Sequence, residues 1–101
     1  MNETMKAVHR IEIVVDAPHS DRALRILAEN GLQGWSVIRS VRGSGQRGAQ
    51  YGDDITGVSN NHYILTTCRP EKLDALAKAL RPLLRRVGGI CLISDAQWLL
   101  P

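Results

Sequence analysis

The chain has 101 residues, room for one domain around a single core and not for two separately stable ones. Apolar residues make up 44% of it and charged residues 23%, spread in short periodic runs, which excludes a wholly disordered chain; the longest uncharged apolar run, 88–94, is far below the roughly 18 residues a membrane span needs. The formal net charge of +3 admits anionic ligands without demanding nucleic acid.

The opening Met1-Asn2-Glu3-Thr4-Met5-Lys6 contains no apolar h-region, so no secretory signal is expected. Residues 1–5 read as a loose extension, with Met5 as an alternative start. Across 9–16, Ile11, Ile13 and Val15 alternate with Arg10, Glu12 and Val14, a period of two that predicts a strand. Ala17-Pro18-His19-Ser20 breaks it, and Ser20 is placed to cap a helix whose face is Ala23, Leu24, Leu27 and Ala28. Asn30-Gly31 supplies a left-handed stop. The β-branched and aromatic run 35–42 reads as a second strand.

Residues 43–61 hold five glycines among Ser, Asn, Asp and Gln and show neither helical nor alternating periodicity, so they read as one long flexible loop. Strand character resumes over 62–68. Leu73, Leu76, Ala77, Leu80, Leu83, Leu84 and Val87 fall at spacings of three and four, an amphipathic helix opened by Pro70-Glu71 and closed by Gly88-Gly89, with Pro82 inside it. Residues 90–95 are expected to make the last strand and 96–101 an apolar tail, expected to pack on its own domain or on a neighbouring subunit, with a recognition role for Trp98 and Leu99-Leu100 as the alternative.

The order βαββαβ predicts an α+β, ferredoxin-like antiparallel sheet with both helices on one face and the long loop between strands 2 and 3. Val14, Ile38, Cys91 and Ile93 are expected on the alternate parity, giving an apolar second face that no helix covers and hence subunits packed sheet against sheet. Cys68 and Cys91 lie in apolar runs without metal spacing, as expected of buried free thiols in a reducing cytoplasm, a disulfide being the alternative.

Gly43-Ser44-Gly45-Gln46-Arg47-Gly48 matches G-x-G-x-x-G after a strand, but no helix begins within it, so the Rossmann meaning is rejected. What remains is a chain that brings backbone N–H groups close to an anion, with Arg42 and Arg47 beside it. Its length favours function over a plain surface hairpin. Arg85-Arg86-Val87-Gly88-Gly89 reads first as ordinary C-terminal helix chemistry and second as a partner for the glycine loop in a shared cleft, within or between subunits. His9, His19 and His62 are scattered without ligand spacing, so no metal is expected. Asp53-Asp54 are expected to be solvated.

On these residues the chain resembles the PII signalling superfamily (the nitrogen regulatory protein family), and within it the PII-like proteins associated with carboxysomes and bicarbonate transport. The matching features are the element order, Gly34-Trp35-Ser36-Val37, Val41-Arg42-Gly43-Ser44-Gly45 and a glycine turn before Ile90-Cys91-Leu92-Ile93, over residues 6–100. The resemblance implies a cytoplasmic homotrimer with an adenine nucleotide in each cleft between neighbours and a long loop that reports the ligand. Carried over, Gly43, Ser44 and Gly45 approach the phosphates, Ser36 lies near the nucleotide, Thr66 and Thr67 line the base, and Gly88 and Gly89 form the opposing phosphate turn.

The chain departs from the family pattern at Ile90, where the family has a basic residue, and in lacking the phosphate-gripping arginines beyond Trp98. It also lacks the family's uridylylation pattern, although Tyr51 lies in the loop. These departures favour ADP or AMP over a triphosphate, with Arg85, Arg86 or Arg47 supplying charge. Gln46 and Arg47 are the expected bicarbonate site, and a bicarbonate transporter or carboxysome component is the expected partner of a regulatory, non-enzymatic protein.

The alternative is a small acylphosphatase-type enzyme on the same fold, for which Asp16-Ala17-Pro18-His19-Ser20 offers no rigid phosphoryl cradle. RNA binding on the open sheet would want stacking aromatics, and the chain has four aromatic residues in all and no phenylalanine.

Overall fold

The computed structural model describes residues 4–42, 44–45, 48–49 and 60–101. In chain order they form β1 (Met5–Asp16), α1 (Ser20–Glu29), β2 (Trp35–Val41), the short β3 (Ser44–Gly45) and β4 (Gly48–Ala49), β5 (Asn61–Cys68), α2 (Leu73–Val87) and β6 (Ile90–Leu99). The main sheet is antiparallel in the order β2-β5-β1-β6, the ferredoxin-like arrangement expected from the sequence. β3 and β4 pair with each other, Ser44 opposite Ala49 and Gly45 opposite Gly48, so part of the stretch read as one structureless loop is a small antiparallel ladder.

Both helices cover one face. Ala23, Ile26 and Leu27 of α1 and Leu76, Leu80 and Leu83 of α2 are buried against Ile11, Ile13 and Val15 of β1 and Ile64 of β5. Leu76 is 1% exposed at the centre of this layer. Leu76→Ala is expected to destabilise the fold by about 3 kcal/mol, through lost transfer energy and an unfilled cavity, as read from the urea midpoint. No helix among the described residues is long and apolar enough to cross a membrane.

Helix ends follow local chemistry, with one correction. Ser20 does not cap α1; it is the first helical residue and buried, because Pro18 seeds a 3-10 turn over Ala17–His19 that carries the chain into the helix. At the other end Gly31, at φ +84°, donates to the Ala28 carbonyl at 3.0 Å while Leu32 N–H reaches Leu27 at 2.9 Å, the paired bonds of a Schellman stop. α2 follows a 3-10 turn at Pro70–Lys72 and ends on Gly88, left-handed at φ +78° with its N–H on the Leu84 carbonyl at 2.8 Å.

Two further expectations are corrected. β1 begins at Met5, inside the stretch read as a loose extension, and β6 runs on through Leu99, inside the stretch read as an apolar tail. Each makes the other a strand: Met5 pairs with Leu99, Lys6 with Trp98 and Ala7 with Gln97, and Leu100 N–H donates to the Thr4 carbonyl at 2.7 Å. Beyond Cys68, where β5 ends, this pair continues as a two-stranded ribbon.

The uncovered face also differs from expectation. Directly opposed residues of an antiparallel pair share a face, and Ile93 opposes Ile11 while Cys91 opposes Ile13, so both lie on the helix side. The open face instead carries Ile90 opposite Val14 and Leu92 opposite Glu12, with Ile38 opposite Tyr63. Ile38, Ile90 and Leu92 are each more than half exposed.

Candidate functional site

β2 carries one extra residue between Ile38 and Val41 relative to β5, and Ser40 there adopts φ +62°. A bulge of this kind bends a strand and increases its twist, so it re-aims the chain just before β3. Upstream of the bulge, Ser36 is exposed and lies opposite Leu65, on the open face with Glu12 and Leu92.

The two threonines divide between faces. Thr66, opposite Ile11, is 3% exposed and its Oγ1 donates to the Gly34 carbonyl at 2.6 Å. Its hydroxyl is spent on holding the start of β2. Thr67, opposite Arg10, is half-buried and available, so of the expected pair only Thr67 is placed to meet a ligand.

Gly88 and Gly89 both have structural work. Gly88 caps α2, and a Cβ on Gly89 would lie 2.7 Å from the Val14 carbonyl oxygen and from Val15 Cγ1. Arg85 and Arg86 sit in the last turn of α2 with exposed side chains, where they complement the helix dipole. This group stands beside β6, whereas Ser36 and Thr67 stand on β2 and β5. β2 lies three strand spacings from β6 and β5 two, about 14 and 10 Å, so within one chain the two groups stand on opposite sides of the sheet. Of the glycine-rich segment, Ser44 and Gly45 form β3, and Gly43, Gln46 and Arg47 lie outside the described residues.

The sequence reading missed two features. On the open face Tyr63 Oη donates to Glu12 Oε2 at 2.6 Å, and Arg10 Nε lies 3.4 Å from Glu12 Oε1. The bond to Glu12, then desolvation and the Glu12 charge, raise the Tyr63 phenol above its ordinary 10.0. The interaction therefore stabilises the fold below pH 10 and is lost as pH rises through the higher folded value. A phenolate absorbance titration of the Tyr51→Phe protein is expected to place Tyr63 above the unfolded chain's tyrosine.

The second is a cleft of about 530 Å³ beside the ribbon, lined by Lys6, Gly34, Thr67, Arg69, Lys72 and Trp98 among others. Its lining comes from β1, the α1–β2 connection, β5 with the turn after it, and β6. Apart from Gly34, Thr67 and the tail residues Trp98 and Leu100, the lining holds no residue that the sequence reading marked for a ligand or partner.

Cys68 and Cys91 are free thiols, and desolvation raises both above the ordinary thiol value, with the Glu71 charge adding to it for Cys68. They face His9 and Ile13 from opposite sides of β1, about 13 Å apart along the strand, too far for the alternative disulfide. Among the described residues no three His, Cys, Asp or Glu side chains converge on a metal position.

The fold is a ferredoxin-like sheet with an open face that carries exposed apolar side chains, and the candidate groups stand on opposite sides of it. The family model "Nitrogen regulatory protein P-II" matches residues 8–99, and the chain belongs to that family. Among solved structures it is similar to CPII, a nitrogen regulatory PII-like protein from Thiomonas intermedia K12 bound to ADP, AMP and bicarbonate, with TM-score 0.84 and 19% identity over 96% of this chain and 92% of that one. The apo form of the same protein gives TM-score 0.77 and 17% identity, covering 96% and 97%. A DUF3240 family protein from Shewanella baltica OS155 gives TM-score 0.59 and 15% identity, covering 99% and 91%. No curated protein matches the sequence.

Proposed function

We propose that the protein is a PII-type sensor of ADP or AMP, with bicarbonate as a second ligand, working in the cytoplasm as a homotrimer. Its output is control of inorganic-carbon uptake or fixation through residues 43–61, read by a bicarbonate transporter or a carboxysome component. The observation that carries this reading is the split of the site. Ser36 on the edge strand β2 and Thr67 on its neighbour β5 stand on one side of the sheet, and Arg85, Gly88 and Gly89 stand beside β6 at the other; in the proposed assembly the β2 side of one subunit meets the β6 side of the next. Such a head-to-tail contact closes into a ring, and the bare apolar face supplies its interior.

Support also comes from the PII-like neighbour of the same fold, bound to ADP, AMP and bicarbonate. Within this reading β3 and β4 belong to the base of the reporting segment, and Gln46 and Arg47 hold the small anion. Ligand-dependent stabilisation of one arrangement of that segment makes the switch.

The acylphosphatase alternative loses ground at the turn after β1. That turn is a 3-10 helix in which His19 Nδ1 lies 2.7 Å from the Asp16 carboxylate, so a negative group already stands where an anion cradle would be needed. Calorimetric titration with ADP, AMP and ATP, with and without bicarbonate, tests the proposal. ADP or AMP is expected to bind more tightly than ATP, and the absence of binding to any nucleotide overturns it.

A further inference from the structure

We infer that the apolar groove between α2 and the edge strand β6 is a docking site for an amphipathic helix of a partner protein, with apolar side chains in the groove and carboxylates at Arg81. The inference goes beyond the nucleotide reading and uses none of the residues assigned to it. Leu73, Ala77 and Leu84 of α2 line a space of about 170 Å³ together with Cys91 and Ile93 of β6.

The groove exists because α2 is apolar over a wider arc than the sheet covers. Leu76, Leu80 and Leu83 are buried in the core, whereas Leu73, Ala77 and Leu84, displaced round the helix, are only partly buried. Ile93 lies on the helix side opposite Ile11, yet it is 44% exposed. Apolar surface is thus left bare on the side that the helices otherwise cover.

Size decides the class of occupant. A space of about 150 Å³ holds one benzene ring, and small-molecule sites usually run to about 300–1,000 Å³. The groove therefore takes one or two apolar side chains and is too small for a nucleotide or cofactor. From Leu73 to Leu84 it follows α2 for about 16 Å, the length of three turns of a second helix. In the proposed assembly the β6 side meets the next subunit, so the backbone edge of β6 is not open to an added strand. A helix laid along α2 is the mode that remains.

Charge gives the partner its sign and its direction. Arg81 lines the groove and no carboxylate does, and Lys78 is exposed one turn earlier on the same flank. Neither has an ion-pair partner among the described residues. Asp74 and Asp95, the latter 95% exposed, stand toward the opposite, Leu73 end. A docked helix consequently carries its carboxylates at the Arg81 end and none beside Asp74.

The test adds a synthetic helix of about 14 residues to the full chain, with leucines spaced four and three apart and glutamates flanking them at one end. Fluorescence anisotropy of the labelled peptide is expected to show binding at least about tenfold tighter than that of the same peptide with lysines for glutamates. Arg81→Glu is expected to invert that preference. Ile93→Ser is expected to weaken the glutamate peptide at least about tenfold without changing the protein's mass in solution. The bound peptide is also expected to slow alkylation of Cys91 by N-ethylmaleimide several-fold, which places it in the groove. Arg81 is exposed, so its variant keeps the test decisive if Ile93→Ser does not fold. A glutamate peptide that fails to bind, that binds the Arg81→Glu protein within about threefold of wild type, or that leaves Cys91 alkylation unchanged overturns the inference. An Ile93→Ser protein of lower mass than wild type overturns it too, because a second copy then fills the groove.

Discussion

Gly89→Ala is expected to cost the ligand-free protein about 2–4 kcal/mol, a drop of about 10 °C or more in melting temperature. The added Cβ would stand 2.7 Å from the Val14 carbonyl oxygen and from Val15 Cγ1, and 3.2 Å from Leu84 Cδ2. Leu84 sits at 3.2 Å on a side chain, but Val14, near the end of β1, is paired on one side to Tyr63 and on the other to Ile90. Moving it strains two ladders at once. Gly88→Ala is the contrast, because Gly88 holds a left-handed φ of +78°, a penalty of about 1 kcal/mol for a residue with a side chain. If Gly89 were required solely for the approach of a phosphate, alanine would weaken nucleotide binding and leave the apo protein's melting untouched; that outcome would refute the packing account.

The helices and the core were readable because their information is local. Leu76, Leu80 and Leu83 repeat at helical spacing and Ile11, Ile13 and Val15 at strand spacing, and the fold buries all six. What failed to show was set by contacts distant in sequence. Residues 5–8 and 96–99 carry no clear alternation, and they become strand because each lies beside the other. The face of Cys91 and Ile93 depends on the register of β6 against β1, and a shift of one residue would reverse every side chain.

The site is legible to the same extent. Glycine and arginine near a helix end are visible motifs, yet here they already serve as cap and close packing. Lys6, Arg69 and Lys72 each look ordinary where they stand in the sequence, and only the overhanging ribbon and the turn after β5 bring them to one cleft. Thr66 and Thr67 are neighbours in sequence and opposites in use, since strand pleating sends one hydroxyl to the Gly34 carbonyl and leaves the other at the cleft.

If the proposed homotrimer packs through the uncovered face, Leu92→Asp is expected to yield monomers while leaving the helix content unchanged. Leu92 is 59% exposed on the uncovered face, in line with Ile90 at 53% and Ile38 at 58%. Burial of each such side chain between subunits contributes about 1.5–3 kcal/mol. Aspartate removes that gain and sets a second carboxylate beside Glu12, which directly opposes position 92 and already accepts the Tyr63 hydroxyl. Two carboxylates enclosed on one face repel, and desolvating the new one adds to the cost. Association is therefore expected to weaken at least about a hundredfold, or about 3 kcal/mol, read by light scattering across a dilution series. Because position 92 points away from α1 and α2, the far-ultraviolet circular dichroism of the monomer should match that of the wild type. Ile93→Asp is expected to behave differently: Ile93 shares the helix side with Ile11 and Leu76 but is 44% exposed, so its replacement should lower the melting temperature and leave the mass in solution unchanged. A Leu92→Asp protein that keeps a trimeric wild-type mass in solution would overturn the proposed contact through this face.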